Sequence, residues 1–154
     1  MILYKNSILL FFCLSVTSAS IAQSTDYNLK KGFVAEGYDV VSYFNDGPAK
    51  GSDDHIVEYD GVRFRFSNEE NKNAFLNNPE KYIPEYGGWC AYAIAENNSK
   101  VDIDPETYEI RDGKLYLFYN AFFNNTLESW LEEGPDRLIP RADSNWVRLK
   151  AREE

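Results

Sequence analysis

Ile56-Val57-Glu58-Tyr59-Asp60-Gly61-Val62-Arg63-Phe64-Arg65-Phe66 is the stretch from which the fold follows. β-Prone residues flank Asp-Gly, a pair that supplies the positive φ values of a type I′ turn. Registered about that turn, Tyr59 faces Val62, Val57 faces Phe64 and His55 faces Phe66, while Glu58 meets Arg63 on the opposite side. The expectation is a hairpin with one apolar face. His55, the only histidine, stands at the end of that face, where packing or capping is its usual role.

The chain on the C-terminal side has the spacing of a capping box, Ser67-Asn68-Glu69-Glu70, in which hydroxyl and carboxylate satisfy the free backbone donors of a helix start. The helix runs to about Asn77, turns Ala74 and Phe75 inward and stops before Pro79. Asn78-Pro79 opens a second short helix that Pro84 ends. A similar unit follows. Residues 108–111 and 114–119 flank Asp112-Gly113, with Tyr108, Ile110, Leu115, Leu117 and Tyr119 on one face. Asn120 is the expected cap of the next helix, with Phe123, Leu127, Trp130 and Leu131 at helical spacing and Gly134-Pro135 as its stop. Setting the two Asp-Gly pairs on each other also superposes Phe66 on Phe118, Asn68 on Asn120 and Phe75 on Leu127. The fold class expected is α+β: two β-hairpin-plus-helix units forming one small domain, with short additional helices.

Elsewhere, residues 34–44 are β-prone and predict a strand or extended segment, closed by Asn45-Asp46-Gly47-Pro48. Residues 93–97 suggest a short helix. Asp102-Ile103-Asp104-Pro105-Glu106 lacks the alternating oxygen ligands and glycine of a calcium loop and is taken as a turn. The tail docks through Trp146 and Leu149.

The N-terminus carries Lys5, an apolar run from Ile8 to Val16 and the small residues Ser20 and Ala22, the organisation of a signal peptide over residues 1–22. Its apolar run is too short to span a bilayer, and no later segment approaches that length. The expected organisation is therefore signal peptide 1–22, polar arm 23–32, domain 33–149 and frayed tail 150–154, in a periplasmic or secreted protein without a transmembrane segment in the mature chain. Once Lys5 has gone with the signal, 25 acidic residues oppose 15 basic ones. That excess argues against nucleic acid and against anionic membrane surfaces, which call for a positive patch.

Cys13 leaves with the signal peptide, so Cys90 is a lone thiol without an intramolecular partner. It lies in Tyr86-Gly87-Gly88-Trp89-Cys90-Ala91-Tyr92, between aromatics and glycines. An inert buried cysteine, a metal ligand, a redox-active thiol and an intermolecular bridge are all open to it. Tyr43, Tyr86, Trp89 and Tyr92 are the candidates to line a cleft around it. Acid–base catalysis has no recognisable carboxylate pair, and phosphate-loop, Ser-His-Asp and heme-attachment motifs are absent from the sequence. The residues favour a non-catalytic protein. Asn97-Asn98-Ser99 and Asn124-Asn125-Thr126 match the N-glycosylation acceptor pattern.

Taken in order, Gly37-Tyr38-Asp39-Val40-Val41-Ser42-Tyr43-Phe44, Tyr59-Asp60-Gly61, Phe64-Arg65-Phe66-Ser67-Asn68-Glu69-Glu70-Asn71, Asn78-Pro79-Glu80-Lys81-Tyr82 and Tyr86-Gly87-Gly88-Trp89-Cys90-Ala91-Tyr92 resemble a YHS domain protein of the exported bacterial branch. The resemblance covers most of the mature chain and implies metal-ion binding or sensing in the cell envelope. The positions where metal-binding members carry cysteines hold Ser42, Ser67 and Asn71 here. That leaves Cys90 and His55 as candidate ligands, for copper(I) or zinc, which favour thiolate and imidazole. A homodimer sharing two Cys90 thiols would supply a second sulfur. The alternatives are a thiol redox protein using Cys90, and a non-catalytic domain that binds a ligand or an envelope protein.

Overall fold

The computed structural model describes residues 26–152. The signal peptide expected over 1–22 lies outside the described residues, as do the first three residues of the arm and Glu153-Glu154. The first hairpin is β3 (Ser52–Tyr59) and β4 (Val62–Phe66), with Tyr59 opposite Val62, Glu58 opposite Arg63 and Val57 opposite Phe64. Asp60 and Gly61 take φ of 52° and 74°, as a type I′ turn requires.

The pairing of His55 with Phe66 does not form. The register shifts after Ile56, Ser52 faces Phe66, and residues 53–55 bulge out between them. Gly51 pins the chain there: a Cβ would stand 2.6 Å from the Arg65 carbonyl carbon, so the backbones touch and the intervening residues loop outward. Arg65 then pairs with Asp53 across the bulge at 2.6 Å.

The arm of 23–32 takes part in the sheet. β1 (Leu29–Lys30) pairs antiparallel with β2 (Phe33–Val34), and β2 runs parallel to β4, giving the strand order β1-β2-β4-β3. Residues 35–44 form two 3-10 turns, Ala35–Gly37 and Ser42–Phe44, in place of the expected extended segment. The reason is Asp39, whose carboxylate takes the backbone N–H groups of Val41 and Ser42 and bends the chain back.

Helix α1 (Glu69–Asn77) buries Phe75, and α2 (Pro79–Tyr82) follows with Pro79 in its first turn. The cap of α1 is Asn68, whose side chain accepts from Asn71 N–H, and not the expected Ser67. Ser67 donates its hydroxyl to Asp39 instead. A 3-10 turn at Glu85–Gly88 leads into α3 (Ala91–Asn97).

The second hairpin, β5 (Asp104–Arg111) and β6 (Lys114–Phe118), repeats the first. Ser52 and Asp104, the two Asp-Gly pairs, and Phe66 and Phe118 all stand 52 residues apart, and β5 carries the same register shift, between Asp104 and Tyr108. Beyond Phe118 the repetition breaks. Where the first unit passes straight to its helix, the second inserts a small hairpin, β7 (Asn120–Ala121) and β8 (Asn124–Asn125), before α4 (Thr126–Glu133). Asn125, not Asn120, caps α4, and Phe123 leaves the expected helical stripe for the tip of that hairpin. Gly134 ends α4, and α5 (Pro135–Lys150) takes up the tail that the sequence suggested only as a docked segment, including Lys150 from the expected frayed end.

Strand β6 separates two apolar clusters. Its side chains alternate, Leu115 and Leu117 toward the β3–β4 hairpin with Phe64, Phe66 and Phe75, and Tyr116 and Phe118 toward Trp130, Leu138 and Ala142. Helix α3 also belongs to both, giving Ala93 to the first cluster and Ile94 to the second. Asn145 of α5 donates to the carbonyls of Ile94 and Ala95 at 2.8 and 3.0 Å, satisfying acceptors that the end of α3 leaves free.

Candidate functional site

The stretch 86–92 begins with three consecutive residues at positive φ, Tyr86, Gly87 and Gly88. Gly87 has to lack a side chain, because a Cβ would run into the carbonyl of Asp26, and Asn28 N–H bonds the Gly87 carbonyl at 2.9 Å. Trp89 is then extended, and Cys90 opens α3. The same backbone path occurs once before: Ala35, Glu36 and Gly37 are at positive φ and Tyr38 is extended. Trp89 N–H reaches the Tyr86 carbonyl as Tyr38 N–H reaches Ala35, and Cys90 N–H reaches Val101 as Asp39 N–H reaches Ala49.

Cys90 therefore occupies in the second unit the place of Asp39 in the first. Both are wholly buried. Each accepts the backbone N–H just beyond its own hairpin: Asp39 Oδ2 from Ser67 at 2.9 Å, Cys90 Sγ from Tyr119 at 3.4 Å. Each also meets a hydroxyl, that of Ser67 at 2.6 Å for Asp39 and that of Thr126 at 3.3 Å for Cys90. This is the geometry of an internal anchor that ties a hairpin to the turn in front of it.

Ser42, Ser67 and Asn71 gather around Asp39. Val41 N–H and Ser42 N–H bond Oδ1 at 2.9 and 3.3 Å, and Oδ2 takes Ser67 N–H, Ser67 Oγ and Asn71 Nδ2, the last at 2.7 Å. Five donors fill the lone pairs of one carboxylate and leave no acceptor for a cation. The partners of Cys90 Sγ are Tyr119 N–H and the Thr126 hydroxyl. His55 lies half-buried in the β3 bulge with Nδ1 3.2 Å from Glu69 Oε2, and Glu69 is also bonded to Lys72 at 3.1 Å. Cys90 and His55 thus take their hydrogen bonds from different elements. Among the described residues, no group of three or more His, Cys, Asp or Glu side chains is placed to hold a metal ion.

The four aromatic candidates for a cleft do not converge either. Tyr43 is buried, donates to the Pro105 carbonyl at 2.6 Å and packs edge-on to Tyr108 at 5.0 Å. Tyr92 donates to Glu133 at 2.6 Å, and that bond, ahead of burial, pushes its pKa up to about 12. Trp89 is half-buried with Lys100 above its ring. Only Tyr86 lines a cleft.

That cleft, of about 430 Å³, lies between the first unit and α5. The Tyr86-Gly87 turn forms one side, Asp143, Trp146 and Lys150 of α5 another, and Tyr27, Asp60 and Glu80 the third. Asp26 and Glu85 complete its five carboxylates; Glu85 is paired with Lys114 at 3.1 Å, and Lys150 is the ammonium within the lining. Tyrosine hydroxyls meet three of them: Tyr27 donates to Asp60 at 3.1 Å, Tyr59 to Glu80 at 2.8 Å and Tyr86 to Asp143 at 3.0 Å. Burial first, and the adjacent carboxylate second, raise the Tyr86 and Tyr27 hydroxyls far above the usual range. They are fixed donors, unsuited to proton transfer near neutral pH. The Trp146 ring already draws ammonium groups, with Lys100 Nζ at 5.4 Å and Lys150 Nζ at 5.8 Å from its centre.

Sequence reasoning placed Tyr86 here but missed Asp60, Glu80, Asp143 and Trp146 as its neighbours. They come from three separate parts of the chain, and only the spacing of Leu138, Ala142, Asn145 and Leu149, one face of a helix, could have signalled α5. No protein-family model, no curated protein and no solved structure matches the chain.

Proposed function

We propose that the protein is a non-catalytic binding domain whose cleft takes a small organic cation, an amine or quaternary ammonium with an apolar body. The observation that carries this reading is the lining: Asp60, Glu80 and Asp143, each held by a tyrosine hydroxyl, stand with one lysine around Tyr86, Tyr27 and Trp146. Its volume falls in the range of small-molecule clefts, about 300–1,000 Å³. Carboxylates favour positive charge, aromatic faces add cation–π attraction, and apolar walls at Ile83 and Pro84 receive the body of the ligand. A bare metal ion suits the cleft less well, because among the described residues its carboxylates are not gathered three together as a ligand set. The signal peptide read in residues 1–22 would put the cleft outside the cytoplasm.

Titration calorimetry with butylammonium, tetramethylammonium and spermidine, against sodium acetate and butanol, tests the proposal. The cations are expected to bind and the other two not. Asp143→Asn and Asp60→Asn keep an oxygen to accept the tyrosine hydroxyls while removing charge. Each is expected to weaken cation binding roughly three- to tenfold at low salt, and less at high salt. Binding that survives both substitutions together, or acetate bound as well as butylammonium, would rule the reading out.

A further inference from the structure

The β7–β8 hairpin presents Phe122 and Phe123 at its tip, Phe122 91% exposed and Phe123 completely so. Both sit at positive φ, 52° and 65°, between the paired residues Ala121 and Asn124. A mirror-image turn of this kind selects Asn-Gly or Gly-Gly, and bulky side chains there are strained. One two-residue turn thus combines unfavourable backbone with the largest apolar exposure among the described residues. The stem below it is held firmly. Asn120 Nδ2 donates to Thr107 at 3.0 Å, and Thr126 donates to the Tyr119 carbonyl through its N–H at 3.0 Å and its hydroxyl at 2.8 Å.

The first unit joins its hairpin to its helix without such an insertion. In the first unit Phe66 is followed by Ser67, the cap Asn68 and helix α1, whereas the second unit reaches its cap, Asn125, only after the extra hairpin. An added, rigid, strained and apolar projection is the signature of a contact made outside the molecule. Its surroundings select the partner. The flanking residues Asn120, Ala121, Asn124 and Asn125 are neutral, α4 carries Glu128 and Glu132 besides Glu133, which pairs with Arg137, and no Lys or Arg occurs between Lys114 and Arg137. An anionic bilayer repels such a surface, and a second copy of the chain brings the same acidic helix.

We propose that Phe122 and Phe123 plug into an apolar pocket, rimmed by basic side chains, on another protein. Aromatic anchors that fill a pocket dominate such interfaces, and complementary charge around them guides encounter.

The test replaces Phe123 with p-benzoylphenylalanine in the full chain, in the cells it comes from, with the same residue at exposed Leu76 as control. Irradiation is expected to give one discrete adduct from position 123 alone. The adducted protein, once identified and purified, is expected to bind the wild-type chain, more weakly as salt rises, and to lose about thirtyfold in affinity for the Phe122→Ser/Phe123→Ser variant. Phe122→Asn/Phe123→Gly keeps the stem and suits the turn, so it should show an equal or higher Tm together with the same loss of binding. The proposal is overturned if position 123 gives no adduct beyond the Leu76 control, if the adduct is a second copy of the chain, or if the purified partner ignores the Phe substitutions. It is equally overturned if the wild type, but not the Ser variant, sediments with phosphatidylcholine–phosphatidylglycerol vesicles, or if the Asn-Gly variant has a lower Tm.

Discussion

Asp39 is a wholly buried carboxylate whose hydrogen bonds come from N–H and O–H groups of two separate segments, 41–42 and 67–71. Removing it strands backbone donors of Val41 and Ser67 in the interior and frees α1 from the turn before it. Asp39→Ala is therefore expected to destabilise the fold by about 3 kcal/mol, and Cys90→Ala, whose sulfur is a weak acceptor, by only about 1–2 kcal/mol. Urea unfolding of both variants checks the order, and a Cys90 variant that loses more than the Asp39 one would contradict the anchor role. The sequence drew attention to Cys90 because it is the lone thiol, and passed over Asp39 because a single Asp before Val-Val has no local signal. The relation between them is made by Ser67 and Tyr119, each 28 or 29 residues further on, and no short-range pattern reports contacts at that distance.

The elements with strong local chemistry were legible, and those defined by their neighbours were not. Asp60-Gly61 and Asp112-Gly113 specify both hairpins and their turns, and Pro79 and Gly134 end the helices they were expected to end. Helix α5 was hidden by Pro140, which removes one backbone donor from its first half. Residues 34–44 have β-prone composition, but the side chain of Asp39 wins and folds them into 3-10 turns. Strand β1 has a tertiary contact besides its pairing with β2. β1 is held beside the Glu85–Gly88 turn by Asn28, whose N–H and side-chain amide donate to the carbonyls of Gly87 and Gly88 at 2.9 and 3.3 Å. Gly87→Ala puts a methyl group against Asp26 at a φ of 63° and is expected to cost about 2 kcal/mol or more. Hydrogen exchange should show the loss concentrated at Asn28–Lys30; uniform weakening of the whole domain would mean that this contact does not hold the arm.

The molecule as a whole is acidic and rich in tyrosine, and the two properties are joined by hydrogen bonds. Tyr27, Tyr38, Tyr59, Tyr86 and Tyr92 each donate a hydroxyl to a carboxylate. Burial, or the hydrogen bond itself, raises the pKa of every one of them, and burial also raises Tyr43 and Tyr116. In the unfolded chain these hydroxyls ionise near the ordinary value of 10.0. The folded state then holds more protons than the unfolded state, so stability must fall as pH rises. The stabilisation is fully present below pH 10 and is lost above it, as the unfolded chain ionises while the folded one resists. Acid has a milder effect by this route: Glu69 and Glu133 have lowered pKa values, so their contribution fades as pH drops through the carboxylate range, but both are exposed and screened. The urea midpoint is therefore expected to be nearly level from pH 6 to 9 and to fall steeply above pH 10. Tyrosinate absorbance should rise together with the loss of structure. Absorbance that rises fully while the fold persists would show that the tyrosine–carboxylate pairs do not hold their protons, and would remove the fixed donors from the lining of the cleft.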